Sequence, residues 1–158
     1  MKDLIAHYNK LIDENNDPVH DTKPLRDYMD KWDGEKFLEC LMLDKSKKVL
    51  EIGVGTGRLA IKTAPLCNSL WGIDISPKTI QRASENLSSY TNIILICHDF
   101  TSFEFDTSFD VIYSSLTFMH IEDKLSAIKK TASLLNNGGI FVLSIDKSQN
   151  EYIDMGTR

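Results

Sequence analysis

The sequence predicts an α/β fold in which a doubly wound, mainly parallel sheet is covered by helices on both faces. Two observations support this prediction. Short apolar segments recur between residues 49 and 145, and stretches with helical spacing separate most of them. Each segment is apolar at consecutive positions, which is typical of strands buried on both faces.

Residues 1–45 differ from the rest and are predicted to form an N-terminal helical cap. Apolar residues recur there at helical spacing in three stripes. These are Leu4, Ile5, Tyr8, Leu11 and Ile12; Leu25, Tyr28, Met29 and Trp32; and Phe37, Leu38, Leu41 and Met42. A polar break at residues 15–18 should end the first helix. We interpret the aromatic residues of these stripes as core in preference to pocket residues, because aromatic side chains on a helical stripe usually pack inward.

Residues 46–158 are predicted to form the sheet domain. Five strands are expected at 49–52, 70–73, 93–97, 111–113 and 140–145. Helices are expected over 58–67, from Ser76-Pro77 onward and over 125–135, the last ending at Asn136-Asn137-Gly138-Gly139. Ser76 has the chemistry of an N-cap, and proline is favoured in the first turn of a helix. Leu125, Ile128, Ala132 and Leu135 mark the last helix.

One connection, His98 to Ser108, has no helical pattern. Its eleven residues reach about 36 Å when extended. Returning along a strand takes about 17 Å, and crossing three strands takes about 14 Å more. The connection is therefore long enough for a parallel sheet in the order 3-2-1-4-5.

Composition excludes several classes of protein. The 158 residues are 42% hydrophobic, which suits one compact domain. The net charge is −5 with no block of Lys and Arg, so no nucleic-acid partner is expected. Three widely spaced cysteines and no His/Asp/Glu cluster predict neither disulfides nor a metal site. No leader and no membrane-length apolar run is apparent, so we expect a cytoplasmic protein without a membrane partner.

The most informative segment is the glycine-rich turn at residues 51–58, Glu-Ile-Gly-Val-Gly-Thr-Gly-Arg. Alternating Gly53, Gly55 and Gly57 at a strand-to-helix junction let a ligand approach the backbone closely. Residues 55–60 also match the GxGxxA form of a dinucleotide loop, so a nicotinamide-dependent oxidoreductase is one alternative. Glu51 would repel a diphosphate by about 3 kcal/mol per charge at about 6 Å and an effective dielectric of about 20, but would attract a sulfonium or an ammonium. Its presence favours a cationic cofactor.

Two further acids follow the next two strands. Asp74 ends the second strand, where a carboxylate can accept both ribose hydroxyls, and Ile75 can pack on adenine. An alternative is that Asp74 only helps Ser76 to cap the next helix. Asp99 closes the third strand, where it can accept from the adenine amine while Phe100 lines the ring.

Taken together, these segments resemble the class I S-adenosylmethionine-dependent methyltransferases, especially their small-molecule branch. The resemblance rests on VLEIGVGTG, WGIDIS, CHDF, FDVIYSSLTFMHI and LLNNGGIFVLSI, from Lys48 to Ile145. It implies a Rossmann-like fold, S-adenosylmethionine as cofactor and a small-molecule methyl acceptor. It also places Glu51, Gly53 and Gly55 beside the methionine moiety, and Ser114 or Ser115 near the reacting methyl.

Methyl transfer from a sulfonium needs mainly alignment and exclusion of water. A base is needed only if the nucleophile loses a proton. His120 is the best candidate for that base, although it could equally cap the helix beginning near Glu122. No nucleophile motif for covalent catalysis is present.

The family's sheet usually continues with a C-terminal strand pair, but only 13 residues follow Ile145. We therefore expect that pair to be missing from this chain. The fifth strand, apolar on both faces, should then lie at a bare edge that pairs with missing sequence or with a second copy of the chain. We favour missing sequence. A shortened, non-catalytic cofactor-binding module is a further alternative.

Overall fold

The computed structural model describes residues 2–145. Five strands form one parallel sheet in the order β3-β2-β1-β4-β5, as predicted. The strands are β1 (Lys48–Ile52), β2 (Ser69–Asp74), β3 (Ile93–Cys97), β4 (Phe109–Ser115) and β5 (Leu135–Ser144). The helices are α1 (Lys2–Asp13), α2 (Lys23–Asp33), α3 (Glu35–Cys40), α4 (Ala60–Thr63), α5 (Pro77–Asn86) and α6 (Lys124–Leu134). Single 3₁₀ turns lie at Pro18–His20, Ala64–Leu66 and Phe118–His120.

Alternate residues of the strands supply two separate cores, one on each face of the sheet. Val49 and Val111 belong to the core that includes residues of α3, α4 and α5. Leu50 and Ile112 belong to the other core, which includes residues of the 3₁₀ turn after β4 and of α6. Both faces of the sheet are therefore covered, which explains why the strands are apolar at consecutive positions.

Local sequence explains where several helices begin and end. Ser76 caps α5, since its side chain accepts a hydrogen bond from the backbone N–H of Thr79 at 3.1 Å. The helix predicted over 58–67 is shorter, because Pro65 cannot donate the backbone hydrogen bond that an α-helix needs, and a 3₁₀ turn follows α4. The connection from β3 to β4 contains no helix, as predicted.

The segment around Asn136 differs from the prediction. The last helix ends at Leu134, and Leu135 already pairs with Phe109 as the first residue of β5. The pairing of β4 with β5 then shifts in register before Val111 meets Ile140. The residues expected to stop a helix therefore form an irregular start of a strand. The Asn136 side chain holds that start in place by donating to Asp110 Oδ1 at 2.8 Å.

Two predicted apolar faces are also wrong in part. Leu125 and Ile128 of α6 are exposed, and the helix buries Ala127 and Thr131 instead. Tyr28 of α2 is exposed and not part of the core. Residues 2–40 do contain three α-helices, but α1 has no buried residue and α2 buries only Asp33. Within the cap, α3 contributes the buried Phe37 to the core of the sheet domain, whereas α1 and α2 contribute no buried apolar residue.

No helix among residues 2–145 has the length and apolar character needed to cross a bilayer. Within the same residues, no three His, Cys, Asp or Glu side chains are grouped so that they could hold a metal ion. Cys40, Cys67 and Cys97 are free. Among residues 2–145, β5 is the last member of the sheet, which agrees with its predicted edge position. The expected absence of a further strand pair concerns residues 146–158, which lie outside the described residues.

Candidate functional site

A cavity of about 740 Å³ lies at the carboxyl ends of the strands. Its volume is within the range of about 300–1,000 Å³ that small-molecule sites occupy. The ends of β1, β2 and β4 and the residues that follow β3 contribute to its lining, and so do α1 and α2 of the cap. Of the predicted site residues, seven of the nine placed around the cofactor line it: Glu51, Gly53, Gly55, Asp74, Ile75, Asp99 and Phe100. The predicted base His120 lines it too.

The glycine-rich turn forms the floor of this cavity between β1 and α4. The backbone N–H groups of Gly53 and Val54 donate to the Ile73 carbonyl at 2.9 and 3.1 Å, which ties the turn to the end of β2. A Cβ on Gly53 would lie 1.9 Å from Thr117 Oγ1, so no larger residue fits there. Gly55 has a φ of +56°, and a Cβ added to it would meet no atom within 4 Å. The turn is therefore open beside Gly55.

Gly57 and Ser114 do not line the cavity. A Cβ on Gly57 would lie 2.9 Å from the Leu87 side chain, so this glycine allows the turn to pack against the end of α5. Ser114 is fully buried and donates its hydroxyl to the Ile52 carbonyl at 2.8 Å. Side chains alternate along a strand, and the neighbouring Ser115 is the serine that lines the cavity. The placement of Ser114 near the reacting group is thus corrected to Ser115, the alternative that the sequence left open.

Glu51 is the most deeply buried acid of the cavity wall, with 3% of its surface exposed. Burial raises the pKa of its carboxyl from 4.5 to about 8, against the opposing effects of the Tyr113 hydrogen bond and the Arg58 charge. The Tyr113 hydroxyl donates to Glu51 Oε2 at 2.8 Å and lies 2.8 Å from the Thr63 hydroxyl. The raised pKa favours the protonated form of Glu51 at neutral pH. The repulsion of a diphosphate expected from the sequence applies only to its ionised form.

Asp74 ends β2 beside the glycine-rich turn. Its Oδ2 accepts from the Gly55 backbone N–H at 3.1 Å, and its Oδ1 accepts from the Ser76 backbone N–H at 3.0 Å. Burial raises the pKa of this carboxyl, while the backbone hydrogen bonds oppose that effect. Each oxygen retains one further lone pair, so the carboxylate can still accept two hydroxyl groups from a ligand. Capping and ligand binding are therefore compatible at this residue.

Asp99 and Phe100 follow β3 and form another part of the wall. Both carboxylate oxygens of Asp99 accept from Thr101, from its backbone N–H at 2.9 Å and from its hydroxyl at 2.7 Å. Phe100 is 4% exposed, and the Lys130 ammonium lies 5.5 Å from the centre of its ring. The turn through Thr101 thus fixes the orientation of the Asp99 carboxylate.

His120 lies in the 3₁₀ turn after β4 and contacts the cap. Its Nε2 is 2.9 Å from the Tyr8 hydroxyl of α1. Burial, together with the influence of Asp74, raises the pKa of Tyr8 to about 12, while burial and the neighbouring His7 lower the pKa of His120. Both shifts favour a neutral phenol that donates to a neutral imidazole. The expectation that His120 caps a helix is not met, since Asp123 caps α6.

A buried ion pair joins the cap to the glycine-rich turn, and sequence reasoning missed it. Asp33, the last residue of α2, is completely buried. Its carboxylate accepts two hydrogen bonds from the Arg58 guanidinium, one of them at 2.9 Å from Nη1 to Oδ1, and a third from the Ser115 hydroxyl. Arg58 and Ser115 also line the cavity. No periodicity or motif marks these contacts, because the partners are 25 and 82 residues apart.

A parallel sheet in the order 3-2-1-4-5, with a glycine-rich turn after its central strand and acids after the next, defines a Rossmann-like domain. A family model described as a methyltransferase domain matches residues 49–139, which is more than half of the chain. The chain therefore belongs to the methyltransferase domain family, which confirms the resemblance to methyltransferases seen in the sequence.

Relatives in sequence and in structure agree with this assignment. An uncharacterized methyltransferase of Bacillus cereus is 38% identical over 122 residues, which cover 75% of this chain and 57% of that protein. The N-methyltransferase NodS from Bradyrhizobium japonicum, solved with S-adenosyl-L-homocysteine, superposes with a TM-score of 0.69 at 24% identity, over 87% of this chain and 71% of NodS. A DhpI complex with S-adenosylhomocysteine superposes with a TM-score of 0.74 at 17% identity, over 90% of this chain and 67% of the DhpI chain. The two solved structures establish the fold alone, and the chain spans just over half the length of the Bacillus relative.

Proposed function

We propose that this chain binds S-adenosylmethionine in the cavity and transfers its methyl group to a small molecule. The observation that carries the proposal is the pair of acids, the buried Glu51 and the half-buried Asp74, that line the cavity together with the open turn at Gly55. A nucleoside with a cationic end needs both a ribose acceptor and a counter-charge, and adjacent parallel strands supply them at one edge of the sheet. The family membership of the chain supports the same donor.

The residues of the cavity divide between the parts of this donor. Asp74 accepts from the ribose hydroxyls, Asp99 accepts from the adenine amine, and Ile75 and Phe100 pack on the adenine ring. Glu51 faces the ammonium, and Gly53 and Gly55 leave room for the methionine part. When bound, S-adenosylmethionine supplies a methyl group on a sulfonium, whose displacement leaves a neutral thioether.

Binding titrations test the donor. Calorimetry with S-adenosylmethionine, S-adenosylhomocysteine, NAD and NADH should give heats of binding for the first two compounds only. The nicotinamide alternative is disfavoured because a dinucleotide brings two phosphate charges towards Asp74 and towards Glu51, which repels them once it is ionised. Binding of NAD with no binding of S-adenosylmethionine would refute the proposed function.

His120 and Tyr8 are the groups that we assign to proton removal from the acceptor. The Tyr8 hydroxyl lies 2.9 Å from Nε2 of His120. In the tautomer that protonates Nδ1, the hydroxyl donates to Nε2, so a proton from the nucleophile can pass to the Tyr8 oxygen while the Tyr8 proton passes to Nε2. The neutral imidazole favoured by burial is the form that can accept this proton. The acceptor therefore lies between the donor and α1, on the side of the cavity that includes Leu4 and Met29.

Product formation with a panel of amine, hydroxyl and thiol acceptors tests catalysis. With an acceptor in hand, Tyr8→Phe and His120→Ala should each lower the rate by about a hundredfold or more, and donor affinity should stay unchanged, because a positioned base contributes about that factor. Donor binding without any product from such a panel would favour the alternative of a non-catalytic binding module.

A further inference from the structure

The glycine-rich turn brings one cation, Arg58, close to more than one acid, so its ion pairing affects the donor site. Arg58 is the cation of this turn, and the charges of two buried acids act on it. One is Asp33 of the cap and the other is Glu51 of β1. Arg58 and Glu51 line the same cavity, and the Arg58 charge lowers the pKa of Glu51. An Arg58 guanidinium paired with Glu51 would occupy the carboxylate that a cationic ligand needs.

The observed geometry resolves this competition in favour of Asp33. The guanidinium and the Asp33 carboxylate form a two-point contact, which is the strongest arrangement for this pair of groups. The Ser115 hydroxyl donates to the same carboxylate and fixes its orientation. Asp33 is completely buried and Arg58 is 17% exposed, so the pair is shielded from water. Glu51 is left with the hydroxyl of Tyr113 as its hydrogen-bond donor among the described residues.

We propose that Asp33 is a positioning residue of the donor site, which, together with Ser115, holds the Arg58 guanidinium and so leaves the Glu51 carboxylate to the ammonium of the donor. This inference rests on the proposed function, since it assumes that the cavity binds a cationic donor. It gives the cap a role in donor binding that does not require a cap residue to touch the ammonium. A buried ion pair by itself is weak grounds for stability, so a role in ligand binding accounts for this one better.

The test compares three ligands with different ends. S-adenosylmethionine and S-adenosylhomocysteine carry the ammonium, whereas 5′-methylthioadenosine has the same nucleoside but no amino-acid end. Asp33→Asn frees Arg58 to pair with Glu51. The variant should lower the affinity for S-adenosylmethionine and S-adenosylhomocysteine by about tenfold or more, because a hydrogen bond between charged groups contributes about that factor. Its affinity for 5′-methylthioadenosine should stay unchanged. Normal binding of 5′-methylthioadenosine also shows that the variant is folded.

Two further variants distinguish positioning from general damage. Asp27→Asn is the matched control, since Asp27 lies on the same helix in an exposed pair with Lys23. It should change none of the three affinities. In the double variant Asp33→Asn with Arg58→Gln, no cation is left to occupy Glu51, so affinity for S-adenosylhomocysteine should return towards that of the unmodified chain. A merely structural role for the pair predicts that the double variant is as weak as the single one or weaker.

The outcomes separate the two proposals. If the unmodified chain binds none of the three ligands, the proposed function fails. If it binds them, but Asp33→Asn weakens all three equally or none, the role of Asp33 is refuted while the donor site stands. A double variant that stays as weak as Asp33→Asn also contradicts the proposal.

Discussion

Glu51 gives the chain a pH dependence that can be worked out with its sign. Its carboxyl has a pKa of about 8 in the folded protein and 4.5 when unperturbed. Between these two values the folded state holds a proton that the unfolded state has lost, so the free energy of unfolding falls as the pH rises. The two pKa values differ by about 3.5, and each pKa unit corresponds to about 1.4 kcal/mol. The free energy of unfolding therefore falls by at most about 5 kcal/mol up to about pH 8. Stability attributable to Glu51 is thus highest below its unperturbed pKa of 4.5.

The variant Glu51→Gln removes this ionisation but keeps an oxygen that can accept from Tyr113. Urea unfolding of both proteins at about pH 5, 6.5 and 8 gives the difference between their free energies of unfolding. Other titrating groups are common to the two proteins and cancel. We expect the free energy of unfolding of the variant, relative to that of the unmodified chain, to rise steadily from pH 5 to pH 8, by about 4 kcal/mol in total. Parallel pH profiles would show that Glu51 is already ionised in the fold, which would refute the raised pKa.

The same proton should leave when the donor binds. At about pH 6.5 the carboxyl of the free protein is protonated, and an ammonium beside it favours the ionised form. Calorimetry in buffers with different ionisation enthalpies should therefore detect release of up to about one proton per S-adenosylmethionine bound. The Glu51→Gln variant and the ligand 5′-methylthioadenosine are the controls, and neither should show this release.

Three other predictions concern the floor and the edge of the sheet. Asp74→Ala should weaken donor binding by about 1.5–3 kcal/mol in calorimetry, because a charged acceptor of the ribose hydroxyls is lost, and unchanged affinity would refute the ribose assignment. Gly55→Val should abolish donor binding, since its side chain enters the open space of the turn. Gly138→Val is the matched control, because Gly138 also has a positive φ and open space but lies outside the cavity, and it should lower stability without affecting affinity. The 158-residue chain should associate through the edge of β5 in light scattering, and Ile145→Lys, at an exposed position beyond that strand, should reduce the association; a stable monomer would contradict this.

The donor side of the cavity was predictable from the sequence for a geometric reason. Its residues stand directly after strands of one parallel sheet, and the carboxyl ends of such strands meet at one edge. Glu51, Asp74 and Asp99 could therefore be grouped without knowing any long-range contact. Ser114 and Ser115 could not be told apart, because a shift of one residue in the expected end of β4 exchanges the side chains that face the cavity.

The remaining errors have a common cause. Leu125 and Ile128 follow helical spacing, but spacing alone does not show which face of α6 meets the sheet, and the helix buries Ala127 and Thr131. Asn136 belongs to a strand because of its tertiary contact with Asp110, although the local sequence favours a helix stop. In each case a contact between distant segments outweighs the local preference.

The acceptor side depends on such distant contacts almost entirely. The hydrogen bond of Tyr8 with His120 joins residues 112 positions apart, and that of Ser115 with Asp33 spans 82. Since α1 contributes no residue to either of the two cores, substitutions at its exposed positions cost little of the packing that holds the sheet together. A cap of this kind can change the shape and polarity of the acceptor wall while Glu51 and Asp74 remain where β1 and β2 place them. Under the proposed function, the nature of the donor is therefore encoded locally in the strand ends, whereas the choice of acceptor is encoded in how the cap packs, and for that reason the sequence predicted a donor but no particular acceptor.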